Sequence, residues 1–269
     1  MEAEVSRVIV SGFAGKLERC LDVDVAIVGA GPAGLVCGYR LVQAGFGVAI
    51  FERKLAPGGG IWGGAMLNNE IVVQAELAGF LEEFGIRHAA VAGGLLRADA
   101  VETAAALIYR AVHAGVVLFN AVTVEDVVFK EGRVGGVVVN WTPVLTQGLH
   151  VDPLMVVAKA VLDGTGHDAG LTDKVAGKAG IKLNTPTGGV VGEKPLWTAE
   201  GERATVANTR EVYPGLFVAG MAANAVYGGA RMGPIFGGMF RSGERAAELI
   251  KSALRKQGPA DQSAVGAIR

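Results

Sequence analysis

Asp24-Val25-Ala26-Ile27-Val28-Gly29-Ala30-Gly31-Pro32-Ala33-Gly34 decides the fold. A short apolar run stops at glycines and continues as the opening of a helix. This predicts a buried parallel strand, a tight turn, and a helix from about Pro32 to Ala44. In Gly29-x-Gly31-x-x-Gly34, Gly29 makes the turn and Gly31 lets the backbone approach a pyrophosphate. Gly34 lets helix and strand pack closely. The helix N-terminus offers unpaired N–H groups and partial positive charge to phosphates. Val48-Ala49-Ile50-Phe51 supplies the next strand of a βαβ unit. Glu52 ends it, 23 residues after Gly29, where a carboxylate can accept hydrogen bonds from ribose hydroxyls. The expected fold class is α/β: a Rossmann-like dinucleotide-binding fold with the glutathione-reductase-type FAD/NAD layout.

Working outward, residues 1–22 read as a short amphipathic helix and residues 56–64 as a glycine-rich loop. Residues 70–84 and 101–113 read as helices. Gly115 ends the second of these, and a parallel strand follows at Val116–Phe119. Val122–Phe129 and Arg133–Trp141 flank Lys130-Glu131-Gly132, the pattern of an inserted β-hairpin. Val156–Leu162 reads as a strand ending at Asp163-Gly164-Thr165-Gly166, and Gly215–Gly220 as a last short strand. Residues 170–210 lack apolar periodicity and read as a loop-rich excursion. A final helix from about Pro234 to Lys256 places Phe236, Phe240, Gly243, Ala247, Ile250 and Leu254 on one face, with Gly243 and Ala247 small enough for close packing. Residues 257–269 read as a flexible tail. The chain is expected to form a single domain over 1–269.

Composition narrows the function. Of 269 residues, 51% are apolar and only 19% charged, which predicts a large core or a subunit buried against its own copies. A net charge of −1 without a basic stripe argues against nucleic acid. No run of about 20 apolar residues suits a bilayer, and nothing at the N-terminus reads as a signal peptide. The two cysteines, Cys20 and Cys37, form neither a CxxC pair nor a zinc pattern, and a reducing, cytoplasmic compartment is expected. Cys37 falls on the packed face of its helix and Cys20 precedes the first strand, with nothing nearby to lower its pKa. Both are read as structural. His88 and His113 read as surface or cap residues and Trp141 as core. Trp62 and Tyr227 are candidates to touch a ligand.

The glycine motif does not choose between FAD and NAD. Many flavoproteins that begin this way end a late strand in Gly-Asp, and here Gly220 is followed by Met221, which cannot accept the corresponding hydrogen bonds. That disfavours an FAD-dependent oxidoreductase.

A longer ordered set of motifs runs through the chain: Glu52-Arg53 with Pro57-Gly58-Gly59-Gly60-Ile61-Trp62-Gly63-Gly64, then Val139-Asn140-Trp141-Thr142-Pro143 and His150-Val151-Asp152-Pro153. Asp163-Gly164-Thr165-Gly166-His167-Asp168-Ala169 and Gly228-Gly229-Ala230-Arg231-Met232-Gly233-Pro234 complete it. With these motifs the chain resembles the thiamine thiazole synthases over nearly its whole length. The resemblance implies an enzyme that consumes NAD as a substrate, with glycine, to form an adenylated thiazole carboxylate, Fe(II) supporting the sulfur step. Carried over by position, Gly29, Gly31, Ala33, Gly34, Glu52, Arg53, Gly60, Val124 and Met221 would hold the NAD-derived ligand. His150, Val151 and Asp152 would join them from a neighbouring protomer. Asp152 and His167 would ligate the metal, and Arg231 would hold the glycine carboxylate. One carboxylate and one imidazole suit Fe(II), and equally Zn, Mn or Co. These two residues are 15 apart, so either the intervening strand brings its ends together or two subunits do. The resemblance further implies a homo-octamer.

His150 sets the sulfur source. In fungal and plant relatives a cysteine just before the Asp-Pro step gives up its own sulfur. Imidazole cannot, and no cysteine follows Cys37. The chain resembles the archaeal and bacterial relatives that use free sulfide and turn over repeatedly, with His150, Asp152 and His167 as the catalytic set. Two further readings stay open at this stage: a ribose- or ribulose-bisphosphate synthase-like activity, and a non-enzymatic binder of NAD or ADP-ribose.

Overall fold

A computed structural model describes residues 1–178 and 180–256. The expected tail at 257–269 lies outside the described residues.

The chain opens with helix α1 (Glu2–Glu18), which buries none of its side chains. Then come β1 (Asp22–Val28), α2 (Pro32–Gln43) and β2 (Val48–Glu52), the βαβ unit read from the sequence. β3 (Glu70–Gln74), α3 (Ala78–Phe84), β4 (His88–Val91) and β5 (Leu95–Asp99) form an excursion, with the three strands in one antiparallel sheet. α4 (Ala100–Ala114) returns the chain to β6 (Val117–Asn120). The hairpin of β7 (Val122–Lys130) and β8 (Arg133–Trp141) follows, then α5 (Thr142–Thr146) and the ten-residue β9 (Leu154–Asp163). The remainder is α6 (Gly170–Ala176), β10 (Lys194–Leu196), α7 (Thr198–Asn208), β11 (Arg210–Tyr213), β12 (Leu216–Val218), α8 (Met221–Tyr227), β13 (Ala230–Arg231) and α9 (Gly237–Lys256).

The main sheet runs β11-β12-β9-β1-β2-β6, parallel throughout except for the edge strand β11, and β8 joins the first half of β9 from the hairpin. β2 lies on one side of β1 and β9 on the other, so the chain reverses its winding direction at the carboxyl end of β1. Open α/β sheets bind ligands at such a switch point. Alternation along the strands divides the core. Val25, Ile27, Val48 and Ile50 face α2, α4 and α9. Ala26, Val28, Ala49 and Phe51 face the layer that includes Val134 and Val137 of the hairpin. α9 presses on α2 at the expected small residue: a Cβ on Gly243 would lie 2.6 Å from the Ala33 carbonyl oxygen. The hairpin turns through Glu131 (φ 52°) and Gly132 (φ 74°), the paired left-handed residues of a two-residue loop.

Several expectations change. Residues 70–84 are not one helix: Glu70–Gln74 is a strand, because Ile71 and Val73 are buried with a period of two and pair with β5. The 170–210 excursion contains the helices α6 and α7. α6 is only seven residues long and buries Leu171, Thr172 and Val175, whereas α7 packs through small groups; a Cβ on Gly201 would stand 2.7 Å from the Met232 Cα, so no apolar stripe marks α7. The last helix starts at Gly237, not Pro234. Trp141 is 41% exposed, outside the core.

The glycine turn is tightest at Gly34, where a Cβ would fall 2.2 Å from the Gly29 carbonyl oxygen. Backbone surrounds that point, so a methyl group there forces β1 and α2 apart. Gly34→Ala is expected to lose about 1–3 kcal/mol of stability in urea unfolding.

Candidate functional site

A cavity of about 700 Å³ opens at the carboxyl ends of β1, β2, β9 and β12. The glycine turn forms its floor. Gly29 has φ +97°, and a Cβ there would sit 2.6 Å from the Gly164 carbonyl oxygen, so the first turn touches the turn after β9. Gly31, the N-cap of α2, has open space where a Cβ would be. That space is the cavity, so the α2 N-terminus is available to an anion. Glu52 is buried and latches the turn: one carboxylate oxygen accepts from the Ala30 N–H (2.8 Å), the other from the Lys54 N–H (2.8 Å). Each oxygen keeps a lone pair for a further donor. The glycine-rich loop closes over the turn through the Gly58 N–H, which donates to the Ala30 carbonyl (2.7 Å). Trp62 does not line the cavity; its indole N–H donates to the Pro57 carbonyl and staples the loop.

The opposite wall is the turn after β9. Asp163 is fully buried and accepts four hydrogen bonds, from the N–H and hydroxyl of Thr165 (2.9 and 2.7 Å) and of Thr172 (2.8 and 2.7 Å). They tie the end of β9 to the start of α6 and hold His167 and Asp168 at the cavity rim. The His167 ring Nδ1 lies 2.9 Å from both carboxylate oxygens of Glu193. Arg231, on β13, completes the rim, its Nε 3.8 Å from Glu193. Arg53, Lys54, Lys174 and Arg231 supply positive charge to the lining, against Glu52 and Asp168.

Gly29, Gly31, Ala33, Glu52, Arg53, Gly60, Val124, Met221, His167 and Arg231 thus share one cavity. Gly34 supports the turn from behind. His150, Val151 and Asp152 do not line the cavity of their own chain; they are exposed on the connection from α5 to β9, where the Val151 carbonyl accepts from the Asn140 side chain (3.1 Å). The whole of β9 separates Asp152 from His167. Ten extended residues span about 30 Å. Asp152 and His167 of one chain therefore cannot reach one ion, and the strand does not bring its ends together. Among the described residues, no group of three or more His, Cys, Asp or Glu is gathered to hold a metal. Tyr227 turns away, its hydroxyl donating to the Asn184 carbonyl (2.9 Å).

Sequence reading missed Asp163 as a positioning group, and Glu193, Lys54 and Lys174. Asp163 stood inside a quoted motif; the others carry no local signal. Both cysteines are buried and outside the cavity. Burial drives the Cys37 thiol far above its ordinary pKa. Burial also raises that of Cys20, although Lys16 and Arg19 lie close enough to offset part of the effect, a neighbourhood not anticipated from the sequence.

A glycine turn at the switch point of a doubly wound sheet, with a basic cavity beyond it, defines a dinucleotide-binding α/β protein. Known proteins narrow that class. The Thi4 family model matches residues 6–236. The chain is 51% identical to the thiamine thiazole synthase of Methanothermobacter thermautotrophicus, over 94% of this chain and 98% of that protein. It is 54% identical to the thiamine thiazole synthase of Pyrococcus furiosus, over 93% and 97%. It superposes on the crystal structure of THI4 from Thermovibrio ammonificans with a TM-score of 0.93 and 52% identity, covering 95% of this chain and 99% of that one. The chain belongs to the Thi4 family.

Two outcomes are expected. Gly31→Ala will fold with stability within about 0.5 kcal/mol of the parent, because its Cβ meets nothing. It will nevertheless bind NAD at least about tenfold more weakly by calorimetry, because the methyl group occupies the pyrophosphate's approach. Neither cysteine will react with iodoacetamide in the native protein at about pH 8, and both will react after denaturation, as mass spectrometry will read.

Proposed function

We propose that this chain is a thiazole synthase of thiamine biosynthesis that converts NAD, glycine and sulfide into an adenylated thiazole carboxylate, over many turnovers and with Fe(II). The observation that carries the reading is the single cavity joining the Gly29–Gly34 turn to His167 and Arg231. A dinucleotide laid along it would place its pyrophosphate on the α2 N-terminus and a ribose on Glu52. Its nicotinamide-ribose half would then lie toward the His167 and Arg231 rim. NAD thus acts as substrate: it loses nicotinamide, and the remaining ribose isomerises to a ketone that condenses with glycine. Arg231 would grip the glycine carboxylate through its planar fork of donors. Lys174, with Arg53 and Lys54, would balance the charge of the phosphates.

The residues fit a metal. Glu193 occupies one ring nitrogen of His167 and leaves the other for a ligand role, and Asp152 has an exposed carboxylate. Bound Fe(II) would supply a Lewis acid with open positions for the sulfur step. Because β9 keeps Asp152 and His167 of one chain apart, we read each site as built from two protomers, His150-Val151-Asp152 reaching into the neighbour's cavity. A homo-octamer of single-domain chains fits this, as does the low charge fraction. Among the described residues no helix is long and apolar enough to cross a membrane. Two free cysteines fit a reducing compartment, and on that ground we place the reaction in the cytoplasm. Sulfide is the sulfur source in this reading because neither cysteine reaches the cavity and His150 stands before Asp152.

Anaerobic incubation with NAD, glycine, sulfide and Fe(II) is expected to yield the adenylated thiazole in excess over protein, the protein mass unchanged. No product, or a protein that has lost a sulfur atom, overturns the proposal. Asp152→Ala and His167→Ala should each abolish product while still binding NAD. Co-assembled one to one, they should recover about a quarter of the sites, because only a site with both wild-type halves works. Absence of any recovery would rule out the shared site.

A further inference from the structure

Among the described residues, Glu193 is the one carboxylate that touches both His167 and Arg231, and nothing in the expected site includes it. Its side chain is 13% exposed, against 51% for His167 and 57% for Arg231. A nearly buried anion therefore lies behind two groups that open to the cavity. Its backbone is held on both sides: the Gly192 N–H donates to the Ala225 carbonyl (2.8 Å) and the Lys194 N–H to the Gly229 carbonyl (2.9 Å). β10 begins at the next residue and pairs with β13, which carries Arg231. On the other side, the four hydrogen bonds of Asp163 hold the turn bearing His167. Glu193 thus bridges two braced segments.

We propose that Glu193 is a positioning residue that orients the metal ligand and the glycine clamp together; the inference rests on the metal and glycine roles assigned above. A carboxylate only accepts, so its contact with Nδ1 places the ring hydrogen there and leaves the Nε2 lone pair for a metal. A carboxylate behind a ligating imidazole fixes ring orientation and raises ligand basicity. The same carboxylate lies 3.8 Å from the Arg231 Nε, which leaves the terminal nitrogens for a substrate carboxylate. One anchor therefore sets the spacing between the metal and the amino acid that must meet beside it. A salt bridge that merely closed the 190–193 loop would not act on metal affinity.

The test uses the assembled full-length protein, with Co(II) as the probe, in wild type, Glu193→Ala, Glu193→Gln, Glu193→Asp and His167→Ala. Calorimetry and the visible Co(II) spectrum report the metal; separate titrations report NAD. Glu193→Ala is expected to weaken Co(II) by about 10- to 100-fold, to change its spectrum and to raise the KM for glycine, with NAD affinity within about twofold of wild type. Glu193→Asp should recover part of the metal affinity. Should the alanine variant fail to fold, the isosteric Glu193→Gln decides on the same readings. Co(II) affinity and spectrum unchanged in a folded Ala or Gln variant would overturn the role. If wild type binds NAD but its Co(II) affinity equals that of His167→Ala, the metal reading of His167 fails first, and this inference with it.

Discussion

Two backbone turns meet without side chains between them, and the rest of the site depends on that contact. β1 and β9 are parallel neighbours, so their carboxyl ends deliver Gly29 and Gly164 to the same point. A Cβ on Gly29 would stand 2.6 Å from the Gly164 carbonyl, and one on Gly34 would stand 2.2 Å from the Gly29 carbonyl. Only glycine permits that approach, and the positive φ of Gly29 favours it as well. Because the turns touch, the phosphate-binding end of the cavity and the His167 end belong to one hollow.

Three carboxylates then stiffen its walls. Glu52 ties the glycine turn to the end of β2 through the Ala30 and Lys54 amides. Asp163 ties the end of β9 to α6 with its four acceptor contacts. Glu193 ties the 190–193 segment to His167. A buried carboxylate is tolerated where donors meet its oxygens, and Asp163, with four donors, holds most rigidly what it joins. Cations left in the cavity, among them Arg53 and Lys174, have no ion-pair partner among the described residues and remain for a ligand's charge.

Legibility in the sequence followed the range of the interactions. The βαβ start, the hairpin turn and the close-packing face of α9 were readable because each rests on neighbours a few residues apart. Residues 70–84 misled because a short β-branched run fits a strand or a helix, and only pairing with Leu95–Asp99 decides. α6 stayed hidden because a buried aspartate on another element accepts from its Thr172 N–H. α7 stayed hidden because it packs through Gly201 and Thr205 and shows no apolar stripe.

By itself, then, the sequence determined the dinucleotide-binding start, the family resemblance and the absence of a cysteine beside Asp152, because these are matters of residue type and local spacing. Tertiary structure decided which of the named residues can act together. It placed Arg231 and His167 on one rim and brought Glu193 to both. It also set Asp152 a full strand away from His167, because an extended strand of ten residues cannot fold its ends onto one another.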